Sequence, residues 1–278
     1  MLYVCATPLG NLGDVTLRVL ETLGSVEVIA AEDTRRTCKL LARYDIHTPL
    51  TSLFAHNEAQ KTEYVIGLLR AGTDVALVTD AGTPGVSDPG MRLVVRAVAE
   101  GLPLAVLPGA SAPVAALVAS GLAGEGGFRF VGYLPRKSAA LASALREWRR
   151  GGGVIVAFET GKRLARSLAE LAARVPEASG AVCRELTKLH EEIVRGRLTE
   201  LTQRFPGEVK GEITLVIDFG PAQPGVATDE DVSAAARALL AKGLSKRDTA
   251  AALGICLGAS HREAERIVRE AAGLTRQT

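Results

Sequence analysis

Over the first 120 residues, short apolar runs alternate with stretches in which apolar positions recur every three or four residues. That alternation predicts βαβ units around a largely parallel sheet. The predicted strands are residues 2–7, 26–31, 50–53, 75–79 and 104–107, with helices over 16–23, 35–44, 58–71 and 91–100. Gly24, Gly72 and Gly101 stand where helices should stop, since glycine takes the left-handed conformation of a helix end at little steric cost. Asp33 and Thr34 precede the second helix as N-cap candidates.

The pattern weakens at residues 120–127, SGLAGEGG, a glycine-dense stretch that reads as a hinge. A second alternation follows, with strands over 128–133, 154–158, 181–184 and 212–218 and helices near 139–150 and 163–173. Their order allows a mixed sheet. Residues 220–225, GPAQPG, have the composition of a linker. Three short helices over 231–241, 246–253 and 260–271 complete the chain, the last two spaced like a helix-turn-helix, a unit that either binds nucleic acid or merely packs. The expected architecture is α/β: an N-terminal α/β domain over 1–120, a C-terminal α/β domain over 121–220, and a linker with a small helical tail over 221–278.

At 278 residues with 47% hydrophobic and 23% charged positions, the composition is that of an ordinary globular protein. Cys5, Cys38, Cys183 and Cys256 lie far apart without ligand-like spacing, and His47, His56, His190 and His261 do not cluster, so neither a disulfide framework nor a metal site is predicted. No secretory leader is predicted, because residues 1–13 turn to proline and glycine almost at once; a cytoplasmic location is expected. Residues 102–124 are uncharged, but Pro103, Pro108 and Pro113 would break a lipid-exposed helix, so strand, loop and buried helix are expected there, with no membrane partner.

The net charge of +2 hides an asymmetry. Residues 1–128 carry net −4, residues 129–220 net +5, and between Arg129 and Arg166 nine basic residues meet only Glu147 and Glu159. That band is either a docking surface for a polyanion or a solvated arginine-rich face. Trp148, among Arg146, Arg149 and Arg150, either stacks on a base or anchors a core.

Three loops should share the carboxyl edge of the first sheet, where ligands of open α/β sheets bind: TPLGN (7–11), TDAGTPGVSDPG (79–90) and PGASA (108–112). Their small residues let a ligand approach the backbone, and amides at the following helix starts suit a carboxylate. No P-loop lysine and no GxGxxG is present, which argues against nucleotide phosphates and dinucleotides.

The segments TPLGNLGDVTLR (7–18), AEDTRR (31–36), TDAGTPGVSDPG (79–90), PGASA (108–112), FVGYLPRK (130–137) and CRELTKLHEE (183–192), in this order, resemble the tetrapyrrole methylase superfamily over residues 1 to about 220. Within it, AEDTRR, DAGTPGVSDPG and CRELTKLHEE look like the branch that methylates small-subunit (16S) ribosomal RNA on a cytidine ribose 2′-oxygen. The resemblance implies a deep cleft between the two α/β domains, S-adenosylmethionine as cofactor, the small ribosomal subunit as partner, and a homodimer. By position in the matching loops, Leu9, Asp80, Thr83, Ser111 and Ala112 would line the cofactor from the first domain, with Phe158 and Arg184 closing it from the second.

Methyl transfer to a weakly acidic ribose hydroxyl is helped by a base or by a cation that favours the emerging alkoxide. Asp33, Glu185 and Lys188 are the candidates. Each has an equally simple structural role: Asp33 as a helix cap, Glu185 and Lys188 as an ion pair. Asp80 is either a partner for cofactor charge or a turn-stabilising residue. Arg35, Arg36, Arg136, Lys137, Arg149 and Arg150 are the RNA-binding candidates, with solvent exposure as the plain alternative. Two other functions stay open at this stage. One is methylation of a tetrapyrrole carbon or a modified protein histidine; the other is a non-catalytic RNA-binding assembly role.

Overall fold

The computed structural model describes residues 1–122, 127–222, 229–257 and 261–273. Five strands, β1 (Leu2–Cys5), β2 (Val28–Ala31), β3 (Leu50–Ser52), β4 (Val75–Val78) and β5 (Leu104–Leu107), form a parallel sheet in the order β3-β2-β4-β1-β5. Side chains of a strand point alternately to opposite faces, and both faces of the central strands are covered. Val75 and Leu77 of β4 pack beneath helices α3 (Glu58–Arg70) and α4 (Met91–Ala99), whereas Ala76 and Val78 pack beneath α1 (Leu17–Ser25) and α2 (Thr34–Arg43). Double burial explains why the central strands β1, β2 and β4 read as largely apolar runs, whereas β3 and β5 lie at the edges.

Asp33 does cap α2, accepting from the Arg35 amide at 2.9 Å, and Thr34 is already inside the helix. Gly72 and Gly101 follow α3 and α4 with φ of 89° and 66°, as expected of helix stops. Gly24 is not a stop. Helix α1 runs through it to Ser25 and closes when the Val26 amide donates to Thr22 O at 3.0 Å.

Helix α5 (Ala112–Ser120) begins directly after the loop that leaves β5, so residues 102–122 are strand, loop and helix. Although it precedes the glycine-dense stretch, α5 packs on the second sheet: Ala116 and Leu117 meet Val156, Ala181, Cys183 and Val216. Residues 123–126 of that stretch lie outside the described residues, as do 223–225 of the linker-like segment.

The second sheet joins β6 (Phe128–Tyr133), β7 (Val154–Thr160), β8 (Ser179–Arg184), β9 (Glu192–Arg197) and β10 (Glu212–Asp218) in the order β6-β7-β10-β8-β9. It is mixed: β6 and β7 are parallel and the other pairs antiparallel. Helices α6 (Ser138–Gly151), α7 (Leu164–Arg174) and α8 (Leu198–Arg204) cover the face opposite α5 around a core that includes Leu145, Leu168, Leu171 and Leu215. Trp148 belongs to this core, 6.4 Å from the Phe219 ring, and is an anchor rather than a stacking platform. β9 and α8 have no counterpart in the sequence reading. β9 is an edge strand, EIVRGR, with charged residues at both ends and only two large apolar residues, so its periodicity is faint.

The tail consists of α9 (Asp229–Ala241), α10 (Lys246–Leu257) and α11 (His261–Ala271) around their own small core of Val232, Leu253, Ile267 and Val268. Residue 260, the expected start of the last helix, lies outside the described residues. Arg150 on α6 pairs with Asp231 on α9 at 2.8 Å and ties the tail to the second domain. Among the described residues no helix is long and apolar enough to cross a membrane.

Candidate active site

Parallel pairing sends the loops after β1, β2, β4 and β5 out at one edge, and hydrogen bonds join those after β1, β2 and β4. Thr7 and Gly82 exchange backbone hydrogen bonds, each 2.9 Å, and the Thr7 hydroxyl donates to Thr79 O at 2.9 Å. The Asp80 amide donates to Glu32 Oε2 at 3.2 Å, the Asp33 amide donates to Asp80 Oδ1 at 3.0 Å, and Arg36 lies 3.3 Å from Asp80 Oδ2. At the start of α5, Ser111 makes no side-chain cap, so the first amides of the helix have no such acceptor. Unfilled amide donors at a helix start favour a negative group.

Between this edge and the second sheet lies a cleft of about 340 Å³. Leu9, Asp80, Thr83, Ser111 and Ala112 line it from the first domain together with the start of α5, and Phe158 lines it from the second. The loops singled out in the sequence therefore meet at one hollow. Arg184 is not part of the lining: its guanidinium donates to Glu192 at 2.9 Å and to Lys210 O at 3.2 Å. Phe158 is braced edge-on by Phe130 and Tyr133, with ring centroids 4.9 and 5.6 Å away.

The three base candidates are all engaged. Asp33 forms a two-point pair with Arg35, at 3.0 and 2.7 Å, and this side-chain pairing with the Arg35 amide bond brings its carboxyl down to about 2. Lys188 reaches Glu185 at 2.9 Å and Glu212 at 3.0 Å; burial alone would lower its pKa, but the two carboxylates outweigh it and hold the ammonium above its ordinary value. Burial likewise pushes Glu185 upward, yet Lys188 and the Glu212 amide prevail and leave it below the usual range. An ammonium held this way keeps its proton near neutral pH, so a cationic role fits Lys188 and proton acceptance does not.

Glu185 and Lys188 flank the cleft-lining Leu186, on a loop clamped to the first domain. The Asn11 amide donates to Thr187 Oγ1 at 3.1 Å, and the Lys188 stem crosses Gly10 so closely that a Cβ there would lie 2.2 Å from Lys188 Cγ. Glu185 and Thr187 adopt φ of 51° and 67°, costly for residues with side chains. That turn presents Leu186 to the cleft and leaves Leu189 exposed.

Of the basic candidates, Arg149 is paired with Glu177 at 3.1 Å and Arg150 with Asp231, which shrinks the charge the band offers. Arg35 and Arg36 stand at the cleft edge, paired with Asp33 and Asp80. Arg136 and Lys137 are exposed just beyond Tyr133, a lining residue, and have no ion-pair partner among the described residues.

Sequence reasoning missed the acidity of this cleft. Glu32, Asp88 and Glu212 line it alongside Asp80. Burial, then the charges of Glu32, Asp80 and Glu212, push Asp88 up to about 7. Glu32 is also raised, chiefly by burial, and Tyr133 is raised by burial and by Asp88 and Glu212. Glu32, Asp88 and Tyr133 all lie inside the motifs found in the sequence, so the signal was present but unresolved among neighbouring acids. Among the described residues no group of three such side chains is placed to hold a metal ion.

The family described as Tetrapyrrole (Corrin/Porphyrin) Methylases matches residues 1–202. The ribosomal RNA small subunit methyltransferase I of Micromonospora olivasterospora is 44% identical over 277 residues, covering 99% of this chain and 83% of that one. The chain belongs to the ribosomal RNA small subunit methyltransferase I family of the tetrapyrrole methylases. Another member, from Halalkalibacterium halodurans, is 43% identical over 218 residues, 78% of this chain and 75% of its own. The fold is shared with the uroporphyrin-III C-methyltransferase of Thermus thermophilus, a structure complexed with S-adenosylhomocysteine, at a TM-score of 0.58 and 19% identity over 78% of this chain and 96% of that one. Family membership agrees with the loop chemistry: the segments after β1, β2, β4 and β5 that carry the resemblance are those that meet at the cleft.

Proposed function

We propose that this protein is an S-adenosylmethionine-dependent methyltransferase that modifies a cytidine ribose 2′-oxygen of 16S ribosomal RNA in the small subunit, acting in the cytoplasm as a homodimer. The observation that carries the reading is the convergence of Leu9, Asp80 and Ser111 on one cleft, in a chain 44% identical to a member of this family. The cleft fits a folded cation of this kind. Its carboxylates outnumber the cations that neutralise them, which suits a ligand bearing sulfonium and ammonium charge. The amides at Ser111 and Ala112 suit its carboxylate, and Leu9, Leu186 and Phe158 offer an apolar slot for the adenine.

When bound, the cofactor supplies a methyl group on a sulfonium that leaves as a neutral thioether. The protein's part is to align the acceptor and manage its proton. Asp80 fixes the loop after β4 through three contacts, and Lys188 brings a permanent positive charge to the rim beside Glu212. The test is transfer of labelled methyl groups: the reading expects label in isolated small subunits, with tetrapyrrole acceptors unlabelled, and fails if calorimetry detects no S-adenosylmethionine binding.

RNA contact is assigned to the cations at the cleft mouth rather than to the far end of α6. Replacing Arg136 and Lys137 by alanine is expected to weaken subunit binding and to reduce the salt slope of log affinity by roughly 1.4, about 0.7 for each single-strand phosphate that is no longer neutralised. Arg149→Ala with Arg150→Ala should change that slope less, because both side chains already serve carboxylates. Filter binding at several salt concentrations checks the contrast.

A further inference from the structure

Five carboxylates line the cleft, and four of them are already committed. Glu32 accepts from the Asp80 amide; Asp80 accepts from the Asp33 amide and faces Arg36; Glu212 accepts from Lys188. Glu159 is fully buried, accepting from the Ser167 hydroxyl at 2.5 Å and the Thr160 amide at 2.7 Å beside Arg163. Asp88 alone among them has no hydrogen-bond or ion-pair partner among the described residues.

Its position is nevertheless fixed, by backbone rather than by a side-chain partner. Pro89 restricts the chain on one side, Ser87 is left-handed at φ 66° on the other, and the Gly90 amide donates to Glu58 Oε1 at 2.8 Å at the start of α4. An oriented carboxylate with free lone pairs, facing a cleft, is what proton acceptance requires. The groups around it are Glu32 from the loop after β2, Asp80 from its own loop, Glu212 from β10 and Tyr133 from β6. The nearby cations, Arg36 and Lys188, are spent on Asp80 and on Glu185 with Glu212.

We propose that Asp88 is the general base of the reaction, taking the proton of the acceptor ribose hydroxyl as that oxygen bonds to the transferred methyl carbon. The inference rests on the methyltransferase reading above. In the step the O–H bond breaks and its proton goes to the Asp88 carboxylate. The oxygen's electron pair forms the O–CH₃ bond, and the S–CH₃ pair stays on sulfur. One positive and one negative charge are thereby removed together from a confined cleft. A pKa near the working pH suits the role, since the group is ionised before the step and still basic enough to hold the proton.

The experiment compares wild type, Asp88→Asn and Asp88→Glu in single-turnover methyl transfer to small subunits across pH 5.5 to 9, with S-adenosylmethionine binding measured by calorimetry. Wild-type rate should rise with pH and level off above about 7. Asp88→Asn should be on the order of a hundredfold or more slower with a flat profile, Asp88→Glu should recover part of the rate, and cofactor affinity should stay within about threefold. Thermal melting gives a readout independent of turnover. A carboxyl whose folded pKa is raised from 3.8 to about 7 weakens the fold progressively as pH climbs between those values, so Asp88→Asn should melt higher than wild type at pH 8 and equally near pH 4. A wild-type rate in Asp88→Asn, a retained pH rise, or a collapse of cofactor affinity overturns the assignment. Absence of transfer by wild type itself would instead overturn the methyltransferase reading, and the base with it.

Discussion

Asp80→Ala is expected to lower S-adenosylmethionine affinity by roughly ten- to a hundredfold while the protein stays folded. The side chain accepts from the Asp33 amide and faces Arg36, and its own amide is bound by Glu32, so it joins the loops after β2 and β4 at the point where both enter the cleft. Its carboxylate also faces the cleft, and losing a charge-assisted contact of about 1.5–3 kcal/mol to a cationic ligand group corresponds to that range in affinity. The strands beneath are held by their own ladder and core, so loss of the Asp33 amide and Arg36 contacts should lower the melting temperature by a few degrees without unfolding the chain. Calorimetric titration checks the point; unchanged affinity would mean that Asp80 is only a turn residue.

Gly161→Ala should be the most damaging small substitution at the second wall. A Cβ at Gly161 would lie 1.9 Å from Val209 O, a backbone atom, and Val209 is itself bound there through its amide to Gly161 O at 3.2 Å. Neither side can swing away as a side chain can. The two backbones must separate, and they lead directly into Thr160 on one side and Gly211 with Glu212 on the other, all cleft-lining. Overpacking of this kind costs about 1–3 kcal/mol, or a melting decrease of roughly 2–12 °C in a chain of this size. Cofactor affinity should fall with it. A melting curve that superimposes on wild type would show that the loops yield more easily than their packing implies.

Much of the fold was legible because it rests on periodicity. Doubly covered parallel strands give unbroken apolar runs, and the helices between them carry one apolar stripe, so β1 to β5 and α1 to α4 appear within a few residues of their observed bounds. What escaped depends on partners rather than pattern. β9 pairs on one side only, and its charged ends hide its two apolar residues. The side of the molecule to which α5 belongs is decided by what lies opposite Ala116 and Leu117, which no local signal states.

The site divides in the same way. Turn residues such as Gly82 and Pro108 mark the loops that reach the cleft, and six of seven cofactor candidates line it. Identity of the acid that acts is a different matter. Asp33 and Asp88 are both acidic residues in recognisable motifs, yet Arg35 holds one near 2 while burial, and then three neighbouring carboxylates, take the other to about 7. That difference is set by burial in the cleft and by groups brought from β2, β4 and β10, and it is visible only once they share it.

Mass-spectrometric mapping of 16S ribosomal RNA, after unmodified small subunits are incubated with this protein and isotopically labelled S-adenosylmethionine, tests cofactor, acceptor and position together. One labelled methyl group is expected on the ribose of a single cytidine, absent when Asp80 is replaced and cofactor is limiting. Label on a base, on a ribosomal protein, or nowhere in the subunit would contradict it.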